Sequence, residues 1–171
     1  MANQLPDLQD AVVIALGSNL PGPYGSSEAL LEAALARFPD VGLKILVRSS
    51  WWRSAAWPDP NGPEYRNGVV LVEANAGPAG VLAALLKLEA EMGRERWARN
   101  APRTLDLDLI AHGRRVLDEP GLVVPHPRAH ERLFVMGPLA EIAPDWRHPV
   151  LEKTAAELVS ATTVGRDAAR A

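Results

Sequence analysis

The chain has no cysteine among its 171 residues. Disulfides, zinc–thiolate centres, iron–sulfur clusters and cysteine nucleophiles are therefore excluded. Aromatic residues are scarce at 5%. Long apolar runs are lacking: the stretch at 11–16 is far too short to cross a bilayer. The opening residues, MANQLPDLQD, have neither a basic n-region nor an apolar h-region, so no secretory signal is expected. An excess of positive charge is missing too. The 18 Lys+Arg face 21 Asp+Glu, and a net charge of −3 argues against bulk attraction to nucleic acid. What is present, 47% hydrophobic and 23% charged residues, is the composition of an ordinary globular protein. A single domain over 1–171 is expected, with a folded core at 11–160 and fraying ends at 1–10 and 162–171. It is expected to act as a cytoplasmic monomer, with neither membrane nor nucleic acid as a partner.

The hydrophobic period changes several times along the chain. Residues 11–17 (AVVIALG) form a short apolar run that predicts a strand buried on both faces. Ser26 or Ser27 can cap a following helix, Glu28 suits its positive end, and Leu31, Leu35 and Phe38 recur at helical spacing before Pro39 stops it. Residues 43–53 and 65–74 read as two strands joined by a Pro/Gly-rich loop. Residues 77–93 read as a helix, with Pro78 in its first turn and Val81, Leu82, Leu85, Leu88 and Met92 as its apolar stripe. Residues 104–112 (TLDLDLIAH) alternate as a strand does, and Gly113-Arg114 can turn the chain into a short partner strand. Helices are expected near 132–142 and 151–159. The order strand, helix, strand, strand, helix, strand predicts an α+β, ferredoxin-like (split βαβ) fold. Helices should pack on one face of an antiparallel sheet, with a C-terminal helical elaboration, which leaves the other face free for a site.

The segment RTLDLDLI (103–110) carries the strongest chemical signal. In a strand Asp106 and Asp108 point to one side, and Leu105, Leu107 and Leu109 to the other. Two carboxylates about 6–7 Å apart repel by roughly 2–3 kcal/mol at an effective dielectric near 20. A divalent cation relieves that conflict, and magnesium favours one or two carboxylates plus substrate phosphates. A solvated sheet face is the plain alternative. Arg94, Arg96, Arg99 and Arg103 lie just upstream; they form either a surface salt-bridge belt or a set of phosphate-binding forks. Carboxylates and cations together suit phosphoryl-type transfer, which is mostly positioning and charge neutralisation. There is no G-x-x-x-x-G-K-[ST] motif.

Weaker signals surround this segment. Gly17-Ser18-Asn19 reads as a turn and only weakly as a phosphate cradle. Trp51, Trp52 and Trp57 cluster near Tyr65 and Asn67, either as packing or as an aromatic slot with an amide to read a heterocycle's edge. His126 and His130 could be metal ligands, but Pro127 interrupts helical spacing, so a phosphate-contacting or loop-structuring histidine is the simpler reading.

Together these segments resemble the 6-hydroxymethyl-7,8-dihydropterin pyrophosphokinase family. The matching text is ALGSNL (15–20), the stretch around Glu64–Asn67, LEAEMGRER (88–96), APRTLDLDLI (101–110), VPHPR (124–128) and FVMGPLAEIAP (134–144). The resemblance implies ATP-dependent transfer of pyrophosphate to the pterin hydroxymethyl group, releasing AMP, in folate biosynthesis. By the same resemblance Asp106 and Asp108 hold two magnesium ions. Arg94, Arg96 and Arg103 contact phosphates, the first two from a closing loop. Glu89 contacts the ribose, and His126 and Arg132 lie at the ATP pocket. Ser54, Ala55, Trp57, Tyr65, Asn67 and Phe134 align with the pterin pocket.

Two positions depart from the family pattern: Asn100 stands where many members have tryptophan, and Ser54-Ala55 where they have T-P. Both departures concern ring stacking, whereas the phosphate and metal residues are intact; Trp97 or Trp57 could compensate. The competing classes are another metal-dependent nucleotidyl or phosphoryl transferase, such as a nuclease, and a ferredoxin-like ligand-binding module without catalysis. The first is disfavoured by the net charge, and the second leaves the aspartate pair and the arginines unexplained.

Overall fold

The computed structural model describes residues 8–56, 61–93 and 104–171. Its α-helices are α1 (Ser27–Ala36), α2 (Pro78–Gly93), α3 (Leu133–Ile142) and α4 (Ala155–Ala161). The strands are β1 (Val12–Ser18), β2 (Leu43–Arg48), β3 (Trp52–Ser54), β4 (Tyr65–Ala74), β5 (Asp106–His112), β6 (Leu117–Glu119), β7 (Leu122–Val124) and β8 (Ala169–Arg170). β1 is buried along its whole length and lies between β4 and β5, antiparallel to both. The main sheet runs β5-β1-β4-β3-β8, and β2 pairs with the far half of β4.

The capping chemistry expected of Ser26 is present. Its backbone is extended, and its hydroxyl accepts the Ala29 N–H at 3.0 Å, satisfying a donor that the helix cannot. Phe38 is fully buried, but it belongs to a short 3-10 turn after α1. At the other end of the chain, Thr154 and Glu157 cap α4 reciprocally.

Alternation in the central strands sends apolar side chains to both faces. Ile14, Leu16, Val70, Val72, Leu107 and Leu109 meet Leu31 and Leu35 of α1 and Val81, Leu85, Leu88 and Met92 of α2. Val13, Ala15, Val69, Leu71 and Ile110 meet Val135, Met136 and Leu139 of α3 and Ala155 and Leu158 of α4. Each fully buried Leu, Ile, Met or Val contributes about 1.5–3 kcal/mol, so either layer is a substantial core. Helices therefore cover both faces, and the expected free face is occupied by the C-terminal elaboration except at one end.

Three further expectations are corrected. The strand expected over 43–53 is two strands, because the chain steps out of register at residues 49–51. There the Ser49 hydroxyl accepts the Val69 N–H at 3.0 Å, and Trp51 lies on Gly68, where a Cβ would stand 2.5 Å from the ring. The segment after Gly113-Arg114 does not pair with β5; β6 and β7 form their own two-stranded sheet. The tail from Thr162, expected to fray, is anchored: β8 pairs with β3, and Thr162 and Ala168 are buried. The remaining elements begin and end within a few residues of the sequence reading.

Candidate active site

Three neighbouring strands make the floor of a cavity on the face of β1 that α3 leaves uncovered. Gly17 of β1 pairs with Asn67 of β4 on one side and Asp106 of β5 on the other. One step along, Ala15 pairs with Val69 and Asp108. Directly opposed residues share a face, so both aspartates and Asn67 project to the same side. Gly17 keeps this floor low, since a Cβ there would stand 3.3 Å from Asn67 Oδ1.

The cavity measures about 260 Å3, just below the roughly 300–1,000 Å3 of drug-sized sites. Ser54 and Ala55 at the end of β3, Tyr65 at the start of β4, and Arg132 and Phe134 at the start of α3 complete its walls. Asn67 Nδ2 donates to Ser54 Oγ at 2.9 Å, and both residues are buried. This bond fixes the amide plane while its carbonyl oxygen keeps free acceptor capacity. The Arg132 guanidinium carbon lies 5.9 Å from the centre of the Phe134 ring.

Asp106 and Asp108 stay open to solvent at the cavity mouth. Their surroundings still strip hydration and raise both carboxyls above the usual range. For Asp106, partial burial is the larger cause and the charge of Asp108 the second. For Asp108, partial burial pushes upward while Arg132 pulls down. Burial, then Asp106, likewise raises the Tyr65 phenol. Among the described residues no hydrogen bond engages either aspartate's carboxylate, and no group of three or more His, Cys, Asp or Glu stands ready to hold a metal. Two hard-oxygen donors that repel each other fit a magnesium ion that takes its other ligands from substrate and water.

A second cavity of about 320 Å3 adjoins the first. Glu89 of α2, Leu107, and His126 after β7 line it, and Asp108 lines both cavities. Glu89 Oε2 accepts the Leu107 N–H at 2.7 Å, so α2 is tied to the outer edge of β5 between the two aspartates. Burial raises the Glu89 carboxyl, the Leu107 bond opposes this, and Asp106 and Asp108 add to the rise. His126 donates its N–H to Ile110 at 2.7 Å, and its Nδ1 accepts the Arg128 N–H at 3.1 Å. Burial, with Arg132, Arg128 and His130 nearby, lowers its pKa and favours the neutral ring. His130 instead meets His148 edge-on at 5.6 Å. His126 thus structures its own loop.

The structure therefore brings Ser54, Ala55, Tyr65, Asn67, Asp106, Asp108, Arg132 and Phe134 around one cavity, and Glu89, His126 and Asp108 around the next. Arg132, expected beside His126, lines the first cavity. Trp57, Arg94, Arg96, Trp97, Arg99, Asn100 and Arg103 lie outside the described residues. Thr104 carries a role that the sequence reading passed over. Its hydroxyl accepts the N–H groups of Asn19 at 2.8 Å and Leu20 at 3.2 Å, and it donates to Asn19 Oδ1 at 2.8 Å. Gly17 and Ser18, expected in a turn, are the last residues of β1, and Asn19 just after them is clamped to the start of β5. A hydroxyl residue heading a D-x-D strand was the available signal.

Two adjoining cavities with a carboxylate between them are the kind of site an enzyme uses, and comparison with known proteins makes the class specific. The family model described as 7,8-dihydro-6-hydroxymethylpterin-pyrophosphokinase matches residues 13–144. The chain is 41% identical over 155 residues to the 2-amino-4-hydroxy-6-hydroxymethyldihydropteridine pyrophosphokinase of Synechocystis sp., covering 90% of this chain and 77% of that one. It is 41% identical over 138 residues to the enzyme of the same name from Pseudomonas aeruginosa, covering 81% and 83%. Among solved structures, an HPPK-DHPS in complex with substrates superposes with a TM-score of 0.69 at 10% identity, over 89% of this chain and 43% of that one. That likeness speaks for the fold, and this chain spans less than half of that protein. The chain belongs to the 7,8-dihydro-6-hydroxymethylpterin-pyrophosphokinase family and is a pyrophosphokinase.

Proposed function

We propose that the protein transfers the β,γ-pyrophosphoryl group of ATP to the hydroxymethyl oxygen of 6-hydroxymethyl-7,8-dihydropterin. This reaction gives the pterin diphosphate and AMP and would serve folate biosynthesis. The hydroxymethyl oxygen attacks the β-phosphorus, the bond from that phosphorus to the α–β bridging oxygen breaks, AMP leaves with the electron pair, and the hydroxyl proton is released. The observation that carries this reading is Asp108, which lines both cavities. A ring in the first and a nucleotide in the second would meet at its carboxylate.

In this reading the first cavity holds the pterin. Asn67, fixed by Ser54, offers a carbonyl oxygen to the ring's N–H edge, and Phe134 offers a face for stacking. Tyr65 and Ala55 close the sides. The second cavity holds the nucleoside, with Glu89 toward the ribose and His126 toward the phosphates, which Arg132 would meet from the first cavity. Arg94, Arg96 and Arg103 would add cations to the transferring group, as the family resemblance suggests. Asp106 and Asp108 would hold magnesium, with two ions expected, whose chemistry is to neutralise phosphate charge as it shifts toward the leaving group. The raised carboxyls of that pair support a site completed by a cation.

The core order β1-α1-β2/β3-β4-α2-β5, with β5 and β3 flanking β1 and β4, supports a ferredoxin-like reading of the scaffold within a single domain. Phosphorus NMR of the products tests the proposed reaction. AMP and pterin diphosphate in equal amounts are expected from ATP, magnesium and the hydroxymethylpterin. ADP with a pterin monophosphate would overturn the reading in favour of ordinary kinase chemistry.

A further inference from the structure

The family match ends at residue 144, yet the end of the chain is built against three walls of the first cavity. The N–H groups of Thr163 and Val164 both donate to the Glu131 carbonyl at 2.9 Å, and the Leu133 N–H donates back to Val164 at 2.9 Å. These bonds bracket Arg132 on either side. The next residue, Gly165, has φ +68°, and a Cβ there would stand 2.4 Å from Phe134 Cδ1. The tail backbone thus lies directly on the Phe134 ring. Two residues further, Asp167 Oδ2 accepts the Ala55 N–H at 2.6 Å. Then Ala169 and Arg170 pair with Arg53 and Trp52, and the Ala171 N–H reaches the Trp51 carbonyl at 2.9 Å. A tail that served only to close the sheet edge would need the last pairing alone. This one also seats the wall residues Arg132, Phe134 and Ala55.

We propose that residues 162–171 form a positioning element of the pterin cavity. Gly165 sets the plane of the Phe134 ring, and Asp167 sets the backbone of Ala55 at the end of β3. The inference rests on the pterin assignment of the first cavity. Only glycine meets both demands at 165, a left-handed backbone and the absence of a Cβ against the ring. An alanine there must either push Phe134 from its seat or lift the tail. At 167 the requirement is an oxygen acceptor for one N–H, which asparagine meets and alanine does not.

The test compares wild type with Gly165→Ala, Asp167→Ala and Asp167→Asn. Dissociation constants are measured for the hydroxymethylpterin at saturating non-hydrolysable ATP analogue, and for the analogue alone, with Tm on the same preparations. Gly165→Ala and Asp167→Ala should weaken pterin binding about tenfold, the scale of losing one hydrogen bond or displacing one stacking partner. Both should leave analogue binding within twofold, and Asp167→Asn should restore pterin affinity. Pterin affinity within twofold of wild type in the two alanine variants would overturn the proposal. So would equal weakening of both ligands that asparagine does not restore, because that is the signature of general destabilisation. If one alanine variant does not fold, the other decides. A wild-type protein that binds no pterin takes the proposal down with the substrate assignment, and that failure is recognisable before any variant is made.

Discussion

The Glu89 carboxylate receives the Leu107 backbone N–H at 2.7 Å, at the one strand position between Asp106 and Asp108. A helix side chain therefore completes the hydrogen bonding of an edge strand where the strand presents its chemistry. Glu89→Gln keeps an acceptor for that N–H and removes one negative charge, so it should fold with unchanged or higher stability. Glu89→Ala strands the N–H and should cost about 1–3 kcal/mol. Urea unfolding of the two variants side by side separates the outcomes, and a rise in the KM for ATP confined to the alanine variant is expected with it.

Partial burial raises both aspartate carboxyls, and the charge of Asp108 adds to the rise of Asp106, so the pair stands in conflict until a cation arrives. Replacing either with asparagine should leave the metal-free protein as stable as wild type or more so, the usual trade between a site's function and its stability. Melting in the presence of a chelator checks this. A marked fall in Tm for Asp106→Asn would show instead that the carboxylate is a structural partner.

Thr104 holds the start of β5 through three hydrogen bonds to Asn19 and Leu20. Thr104→Val is close in shape but leaves two backbone N–H groups without their acceptor, and should destabilise by about 1–3 kcal/mol. Thr104→Ser retains the hydroxyl and should recover most of that loss. Chemical denaturation of the pair gives the answer, and equal stability of the valine and serine variants would remove the clamp from the account.

His148 sets an acid limit on stability. Its ring is buried, and Nδ1 accepts the N–H groups of Val150 and Leu151, each at 3.1 Å. Burial first, then His130 and Arg114, lower its pKa from 6.5 to about 4. A base depressed in the folded state stabilises the fold above its unfolded pKa and loses that contribution as pH falls toward the folded value. Stability should therefore decline between pH 6.5 and about 4, by roughly 3 kcal/mol from this one residue. In His148→Asn, whose side-chain carbonyl can still accept, the slope of unfolding free energy over that window should flatten.

Periodicity made much of this fold readable in advance. The alternation at TLDLDLI placed both aspartates on one face because a half-buried strand has only two sides. The apolar stripe from Val81 to Met92 located α2 because its face had to be covered. The break between β2 and β3 was hidden, since it depends on Trp51 lying across Gly68, a contact between residues far apart in sequence. The tail was hidden for the same reason: TTVGRDAARA has no apolar period, and its order comes from backbone pairing with β3 and from single contacts at Gly165 and Asp167. At the site, residue identities were legible while their partition between two cavities was not. Arg132 is five residues from Pro127 in sequence, yet the start of α3 carries it to the cavity that holds Asn67.

Asp108 at the junction of the two cavities is the centre of the account, and the single-turnover rate of AMP formation by Asp108→Asn tests it most directly. At saturating magnesium, ATP and hydroxymethylpterin, the rate should fall on the order of a hundred- to a thousand-fold, the scale of losing one electrostatic stabiliser of the transition state. Binding of the pterin should stay within a few-fold of wild type. A variant that forms AMP at close to the wild-type rate would contradict the assignment of Asp108.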